Sequence, residues 1–463
     1  MSWPKEAEAY LNTLCAQVRW KRARALIRQE YGDHIQDRAA ANQAAGMEEG
    51  PAYEEALRSL GDAQQTGLLL DASYQPQLPW PLLAITAALL GAGLLLRALA
   101  LNQPMDMQQL LALGLGLGGF LLLYHADWGL LLRFRWLLYG LLAAGACLYG
   151  LHTRGLWSGS PLYRSALLVS AQPSLLLLFP AAYGLLLYGC RGKGYKALLL
   201  CGLALLLPAG FLALSTAYAA SLQLLLPSLV LLSLALLSGY FALNKWKGLA
   251  IIWGGALAGG LLLLASLPAY QALRLQVLLQ PSLDPEGAGA LSLALGEMLA
   301  GARLLGPGSL GAYSGAYLEG LAQLQAAYGG PSYNSLTMDY ALAFLIHRYG
   351  WWVGLLLLGT LGGLFYCLFR GCRRQSGSLA RLLAYGLTLT LLWEFAAYIL
   401  ANLLGLPLTI LPLPFLTYGN SALCINLAML GLLTAILAGG DIQEAWACRA
   451  EEGKGAALQR GLL

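Results

Sequence analysis

The chain has 463 residues, 58% of them hydrophobic and only 11% charged, with a mean hydropathy of +0.61, where an ordinary soluble chain carries about a quarter of its residues as charges. That composition excludes a water-soluble globular protein. A spanning helix needs about 20 apolar residues, so the roughly 385 residues after Tyr74 have room for many spans.

Charge divides the chain unevenly. Residues 1–77 hold 8 of the 28 Lys and Arg and 11 of the 23 Asp and Glu, leaving 20 basic and 12 acidic groups for the rest. The chain's net positive charge, +5 overall, therefore comes from the membrane part and reads as a topology signal, with no nucleic-acid partner implied. The cysteines have neither CxxC nor Cys/His spacing, so no disulfide framework or zinc site is expected. The first apolar run begins near Trp80, behind a long polar segment, and is not a cleavable signal peptide.

Residues 1–77 are patterned as three or four small helices. Tyr10, Leu11, Leu14 and Val18, then Leu26, Ile27 and Tyr31, recur at helical spacing. Gly46 breaks the run, and Gly61 with Asp62 closes a third helix. The stretch IRQEYGDHIQD at 27–37, with Gly46 and Leu60-Gly61-Asp62, resembles the helical prefix found ahead of some bacterial permeases and signalling proteins. A soluble helical cap without activity is the alternative.

Apolar runs between polar breaks predict ten spans, near 80–101, 107–125, 136–152, 165–188, 196–214, 222–243, 248–270, 339–368, 379–403 and 416–438. Every even-numbered connection is basic: Arg133 and Arg135, then Arg191, Lys193 and Lys196, then Lys245 and Lys247, then Arg370, Arg373, Arg374 and Arg381. By the positive-inside rule both termini are cytoplasmic. The expected fold is an all-α polytopic membrane protein with a cytoplasmic helical domain at 1–77, a ten-span domain at 78–440 and a cytoplasmic tail at 441–463. Its fourth external loop, residues 271–338, is unusually long and carries an apolar stretch near 290–301, too short to span, that reads as re-entrant or interfacial.

Outside the cytoplasmic ends the acidic residues are Asp106, Asp127, Asp284, Glu286, Glu297, Glu319, Asp339 and Glu394. The four histidines have no metal-ligand spacing, and no GxSxG nucleophile motif is present. Gly114, Gly116, Gly118 and Gly119 lie inside a span with no strand before them, so they predict close helix packing rather than a phosphate loop. Asp284 followed by Pro285 fits the start of a helix as well as it fits a functional carboxylate. Asp339 stands at the mouth of the eighth span, where a helix cap is again the alternative. Glu394 lies within the ninth, where an ionisable group is functional or paired.

Several segments together resemble the SEDS family (shape, elongation, division and sporulation), the FtsW/RodA/SpoVE group of bacterial cell-wall proteins. NLLGLPLTILPLPFLTYGNS at 402–421 is similar to the family's GLLPVTGLPLPFISYGGSS, and DPEGAG at 284–289 to DPLGAGY at the start of the large fourth external loop. Gly301 and the Leu304–Gly308 turn stand where that loop has its glycine cluster. MDYALAF at 338–344, ending in Tyr349-Gly350, resembles TDFIFAV followed by EELG, and Gln172-Pro173-Ser174 matches the start of QPSE. The departures are specific. Leu175 replaces the QPSE glutamate, Leu178 the basic residue usual three positions on, and His347-Arg348 the EE pair.

The resemblance implies a multi-pass protein of the bacterial plasma membrane that polymerises lipid II, extending the glycan with loss of undecaprenyl pyrophosphate, for division, elongation or sporulation. It implies Asp284 as the catalytic carboxylate, with Gln172, Ser174, Asp339, Tyr418 and Ser421 in the matching segments as substrate-binding candidates; Arg274 and Arg303 are the external cations available for the pyrophosphate charge. A divalent cation, Mg or Mn, is a candidate cofactor; a class B penicillin-binding protein and other cell-wall or divisome proteins are candidate partners. Two alternatives stay open: a non-catalytic scaffold or regulator of the penicillin-binding protein, favoured by the departures, and a transporter of a lipid-linked precursor, for which few polar residues line a path.

Overall fold

The computed structural model describes residues 4–75, 77–100, 107–154, 173–328, 340–405, 413–416 and 419–459. It opens with four short helices, α1 (Lys5–Gln17), α2 (Lys21–Ala44), α3 (Glu49–Leu60) and α4 (Ala63–Tyr74). Gly46 (φ +97°) and Gly61 (φ +81°) make the breaks, a left-handed backbone that glycine adopts without a Cβ clash. Asp62 caps α4 by accepting from Gln65 N at 3.1 Å. The helical stripe read from the sequence is the interior: Leu11, Leu14, Val18 and Ile27 are fully buried. Burial pushes the Cys15 thiol and the Tyr10 phenol up from their ordinary values. The buried Asp71 carboxylate accepts from Arg19 N at 2.7 Å and Gln75 Nε2 at 2.9 Å.

The remaining helices are α5 (Trp80–Ala100), α6 (Met107–His125), the short α7 (Gly129–Arg133), α8 (Arg135–Thr153), α9 (Phe179–Gly189), α10 (Tyr195–Leu214), α11 (Tyr218–Leu237), α12 (Lys245–Ala265), α13 (Ala269–Leu279), α14 (Ala290–Ala300), α15 (Ala312–Tyr328), α16 (Ala341–Tyr349), α17 (Trp351–Arg374), α18 (Ser378–Leu404) and α19 (Asn420–Gln459). Among the described residues there is no β-strand. Among the described residues eight helices are long and apolar enough to cross a bilayer. Shorter apolar helices at Trp80–Leu95 and Pro173–Gly189 stand where the first and fourth spans are expected, which is consistent with ten spans.

The structure corrects several boundaries. The run at 339–368 is two helices: Gly350 (φ +108°) ends α16, and the eighth span begins at Trp351. A side chain at Gly350 would also press on Leu304 O, so only glycine lets the 301–309 loop come this close. The sixth span ends at Leu237 rather than 243, and the seventh at Ala265 rather than 270, with α13 starting afresh behind Pro268. α19 is two helical stretches joined across a kink at Gly439. The predicted fourth span falls partly, at 165–172, outside the described residues.

Small residues and prolines set the packing. Of the glycines on α6, Gly116 and Gly119 face α19, where added side chains would meet Leu427 and Ala428, while Gly114 and Gly118 face open space. Close packing is the role of that run. Pro208 lies inside α10 and lacks the amide that would bond the carbonyl of residue 204; Tyr139 Oη donates to Ala204 O instead. At the bundle's centre α18 buries seventeen residues around its whole circumference, as a helix surrounded by protein does. Gln77 N donates to Ala438 O at 3.2 Å, and the Trp20 ring closes on Gly439. The four-helix prefix thus sits at the end of the bundle where α18 begins and the last span finishes.

Candidate functional site

The long connection between α12 and α17 returns to the opposite end of α18. Ser292 Oγ, on α14, donates to Gly405 O at 2.8 Å, and Asn402 Oδ1 accepts from Ala343 N on α16 at 3.1 Å. Leu295, Met298 and Ala343 form a small buried cluster between α14 and α16. The apolar stretch at 290–301 is therefore a helix packed on the bundle.

Asp284 follows a 3₁₀ turn, Pro281–Leu283, and opens the turn 285–289. Its Oδ2 accepts from Ala288 N at 2.8 Å, and its main-chain oxygen accepts from Gly289 N at 3.0 Å. The helix-cap reading is corrected in detail, because α14 begins at Ala290 with Gly289 as its N-cap; Asp284 braces the preceding turn instead. Side chains added at Gly287 or Gly289 would overlap the Asp284 carboxylate or Pro281 O, so both glycines are required for this turn. Asp284 is half-buried, and among the described residues no cation pairs with it and no donor reaches its Oδ1. That is a carboxylate held in place with one oxygen open, as proton acceptance requires.

Glu297 is committed otherwise. Its Oε2 accepts from Ser314 N at 2.9 Å and Ser314 Oγ at 3.2 Å, fastening the start of α15 to α14. His347, in place of the first residue of the EE pair, turns Nδ1 toward Met298 O at 3.1 Å. Gly306 N and Gly308 N donate to Tyr349 O and His347 O, so the glycine-rich turn is stitched to the end of α16.

The other candidates are scattered. Arg274 is exposed on α13, its guanidinium 4.9 Å from the Tyr270 ring centroid, and Arg303 is exposed in the loop after α14; neither touches Asp284. Ser174 is buried before α9, where Gln223 Nε2 from α11 donates to Pro173 O at 3.3 Å. Ser421 is half-buried in the first turn of α19. Gln172, Asp339 and Tyr418 lie outside the described residues. Leu175, where the resemblance expects glutamate, is 44% exposed. Among the described residues no three His, Cys, Asp or Glu side chains come together to hold a metal ion, so a divalent cation finds no ready set of protein ligands there.

Sequence reasoning missed the partner of Glu394. This residue is buried in the middle of α18 and its Oε1 accepts from Asn426 Nδ2 on α19 at 3.3 Å. Its Oε2 and Asn426 Oδ1 have no partner among the described residues. Asn426 follows the 402–421 segment by five residues, and an amide inside the last apolar run was the available signal. Asn402 and Gln223 were missed as well, since amides in apolar runs do not declare which backbone group they serve.

Residues 176–439 match the sequence model of the FtsW/RodA/SpoVE family, described as cell cycle protein. A chain from the structure of a peptidoglycan synthase complex, reported for the structural coordination of polymerization and crosslinking, is similar at 22% identity, with 77% of this chain and 97% of that chain covered and a TM-score of 0.56. The rod shape determining protein RodA of Thermus thermophilus is similar at 20% identity, with coverage of 77% and 96% and a TM-score of 0.47. A comparison with curated protein sequences found no match. The family model covers more than half of the chain, and the first of these structures shares its fold: this is a multi-pass membrane protein of the FtsW/RodA/SpoVE family.

Proposed function

We propose that the chain is a peptidoglycan glycosyltransferase that polymerises lipid II, with Asp284 as general base. One observation carries the reading: in the family-matched region, at the start of the long connection, a glycine-built turn presents a carboxylate with one oxygen tied to Ala288 N and the other open. In the reaction the acceptor sugar hydroxyl attacks the anomeric carbon of the donor. Asp284 takes the hydroxyl proton as the new C–O bond forms, and the bond to undecaprenyl pyrophosphate breaks with its electron pair on the leaving group. A positioned base contributes about 10²- to 10⁴-fold. Arg274 and Arg303, both exposed on the same connection, are the nearest cations in sequence for the pyrophosphate charge. The alternation of basic connections supports cytoplasmic termini, which would put Asp284 outside, by the positive-inside rule. The polymerization and crosslinking attributed to the similar complex support a class B penicillin-binding protein as partner.

A second reading, a non-catalytic scaffold for that transpeptidase, is favoured by Leu175, which presents hydrocarbon where the resemblance places a carboxylate. One experiment separates the two. Purified protein is incubated with lipid II, with and without its cognate class B penicillin-binding protein, and scored for glycan polymer. Polymer from the wild type and none from Asp284→Asn is the expected result. Polymer from neither, with the transpeptidase still bound, supports the scaffold, and equal polymer from both moves the base elsewhere.

A further inference from the structure

Between Asp127 and Asp284 the chain has no acidic residue but carries ten Lys and Arg. Five of them, Arg191, Lys193, Lys196, Lys245 and Lys247, lie on or beside the two connections that follow α9 and α11. Backbone hydrogen bonds join those connections: Gly192 N donates to Tyr240 O at 2.8 Å, and Ala242 N to Lys193 O at 3.4 Å. Ser378, at the start of α18, fastens a third, accepting from Arg191 at Oγ and from Tyr240 Oη at its carbonyl. None of the five cations has a carboxylate partner, since every ion pair among the described residues lies in the prefix. The result is a rigid cationic plate at one end of the bundle.

An open cavity of about 580 Å³ lies at its margin, lined by Cys190, Lys193, Tyr195, Lys196, Ala197 and Leu200. Its surface is almost wholly hydrocarbon, and Lys193 and Lys196 are among the residues that line it, both exposed, with the Lys193 ammonium donating to Gly189 O at 3.3 Å. Leu200 continues into Leu199, Leu203 and Leu207 on α10, all more than half exposed, the surface a span turns to acyl chains. Tyr195 and Trp246, 42% and 77% exposed, stand beside the lysines, and such aromatic residues mark headgroup depth. A soluble anion would use the cations and leave the apolar floor wet. An amphiphile uses both.

We propose that this cavity binds an anionic phospholipid, its phosphodiester between Lys193 and Lys196 and an acyl chain along Leu200 and Leu203. The site lies near the start of α18, whereas Asp284 belongs to the connection packed on that helix's far end, roughly 40 Å away for a 27-residue helix. It is separate from the polymerisation chemistry and does not depend on it. Basic pockets at the cytoplasmic side of helix bundles hold acidic headgroups by this combination of charge and depth.

The full-length protein in a neutral detergent is titrated with phosphatidylglycerol or phosphatidylcholine, and retained lipid is counted by native mass spectrometry, with Tm measured alongside. Phosphatidylglycerol should be retained and should raise Tm, and phosphatidylcholine should do neither. Lys193→Gln/Lys196→Gln should weaken phosphatidylglycerol binding about thirtyfold, and Lys193→Arg/Lys196→Arg should keep it. Equal retention by the glutamine variant, equal preference for phosphatidylcholine, or displacement by inorganic phosphate at matched concentration would each overturn the proposal, the last in favour of a soluble-anion site. If the glutamine variant does not fold, the wild-type comparison of the two lipids and phosphate decides the matter.

Discussion

In the long connection, Asp284 and Glu297 take main-chain amides as partners, Ala288 N at 2.8 Å and Ser314 N at 2.9 Å; in the bundle, Glu394 takes a side chain, Asn426 Nδ2 at 3.3 Å. The difference follows from where free amides exist. Turns and first helical turns leave N–H groups without helical partners, so a carboxylate close in space finds a main-chain donor there. Inside a span the helical amides are already bonded to the carbonyls four residues before them, so Glu394 depends on another helix and, among the described residues, is left with Oε2 unpartnered. Asp284, in irregular backbone, is therefore placed by short-range chemistry and keeps one oxygen for a reaction, Glu297 fastens the start of α15 to α14, and the intramembrane Glu394 ties two spans together.

The largest effect expected from breaking this comparison is on Asp284. Asn keeps the acceptor for Ala288 N but not the base, so Asp284→Asn should lower lipid II polymerisation by about 10² or more with helicity unchanged, checked by glycan gels and circular dichroism. Gly289→Ala tests the turn itself: its Cβ would overlap Pro281 O, and the displaced carboxylate should cost about ten- to a hundredfold in rate at nearly unchanged Tm. Unchanged polymerisation would mean that the turn does not aim the base.

Within the bundle, Glu394→Ala leaves the Asn426 amide buried without its acceptor, and should destabilise the protein in detergent by about 1–3 kcal/mol. Glu394→Gln keeps an acceptor at the same place and should recover most of that loss in a melting experiment. The smallest effect belongs to Glu297→Ala, about 1 kcal/mol and local. Hydrogen exchange should quicken in the first turns of α15 while α18 stays protected, and loss of protection across α18 would erase the distinction between the two regions.

Much of this was legible in the chain, for identifiable reasons. Gly46 and Gly61 punctuate the prefix because their backbones need positive φ. The α6 glycines announced a packing face, although only Gly116 and Gly119 use it. Other features depended on distant residues. The apolar run through Gly350 hides a break that exists only because the 301–309 loop closes on it. Asp284 offered both a cap and a base, and the structure moves the cap to Gly289. Glu297 meets Ser314 and Glu394 meets Asn426 across separations of 17 and 32 residues, pairings no local pattern encodes.

The clearest division concerns α12 and α18. By itself the sequence determined that both span, because each is an unbroken apolar helix long enough for the hydrocarbon layer. Only the tertiary structure decided that α18 is wrapped by protein on every side whereas α12 buries just Gly248 and Ile252. Lipid tails are as apolar as leucine side chains, so hydropathy cannot separate a helix that faces lipid from one that faces protein; that choice is made by shape, small residues and interhelical hydrogen bonds.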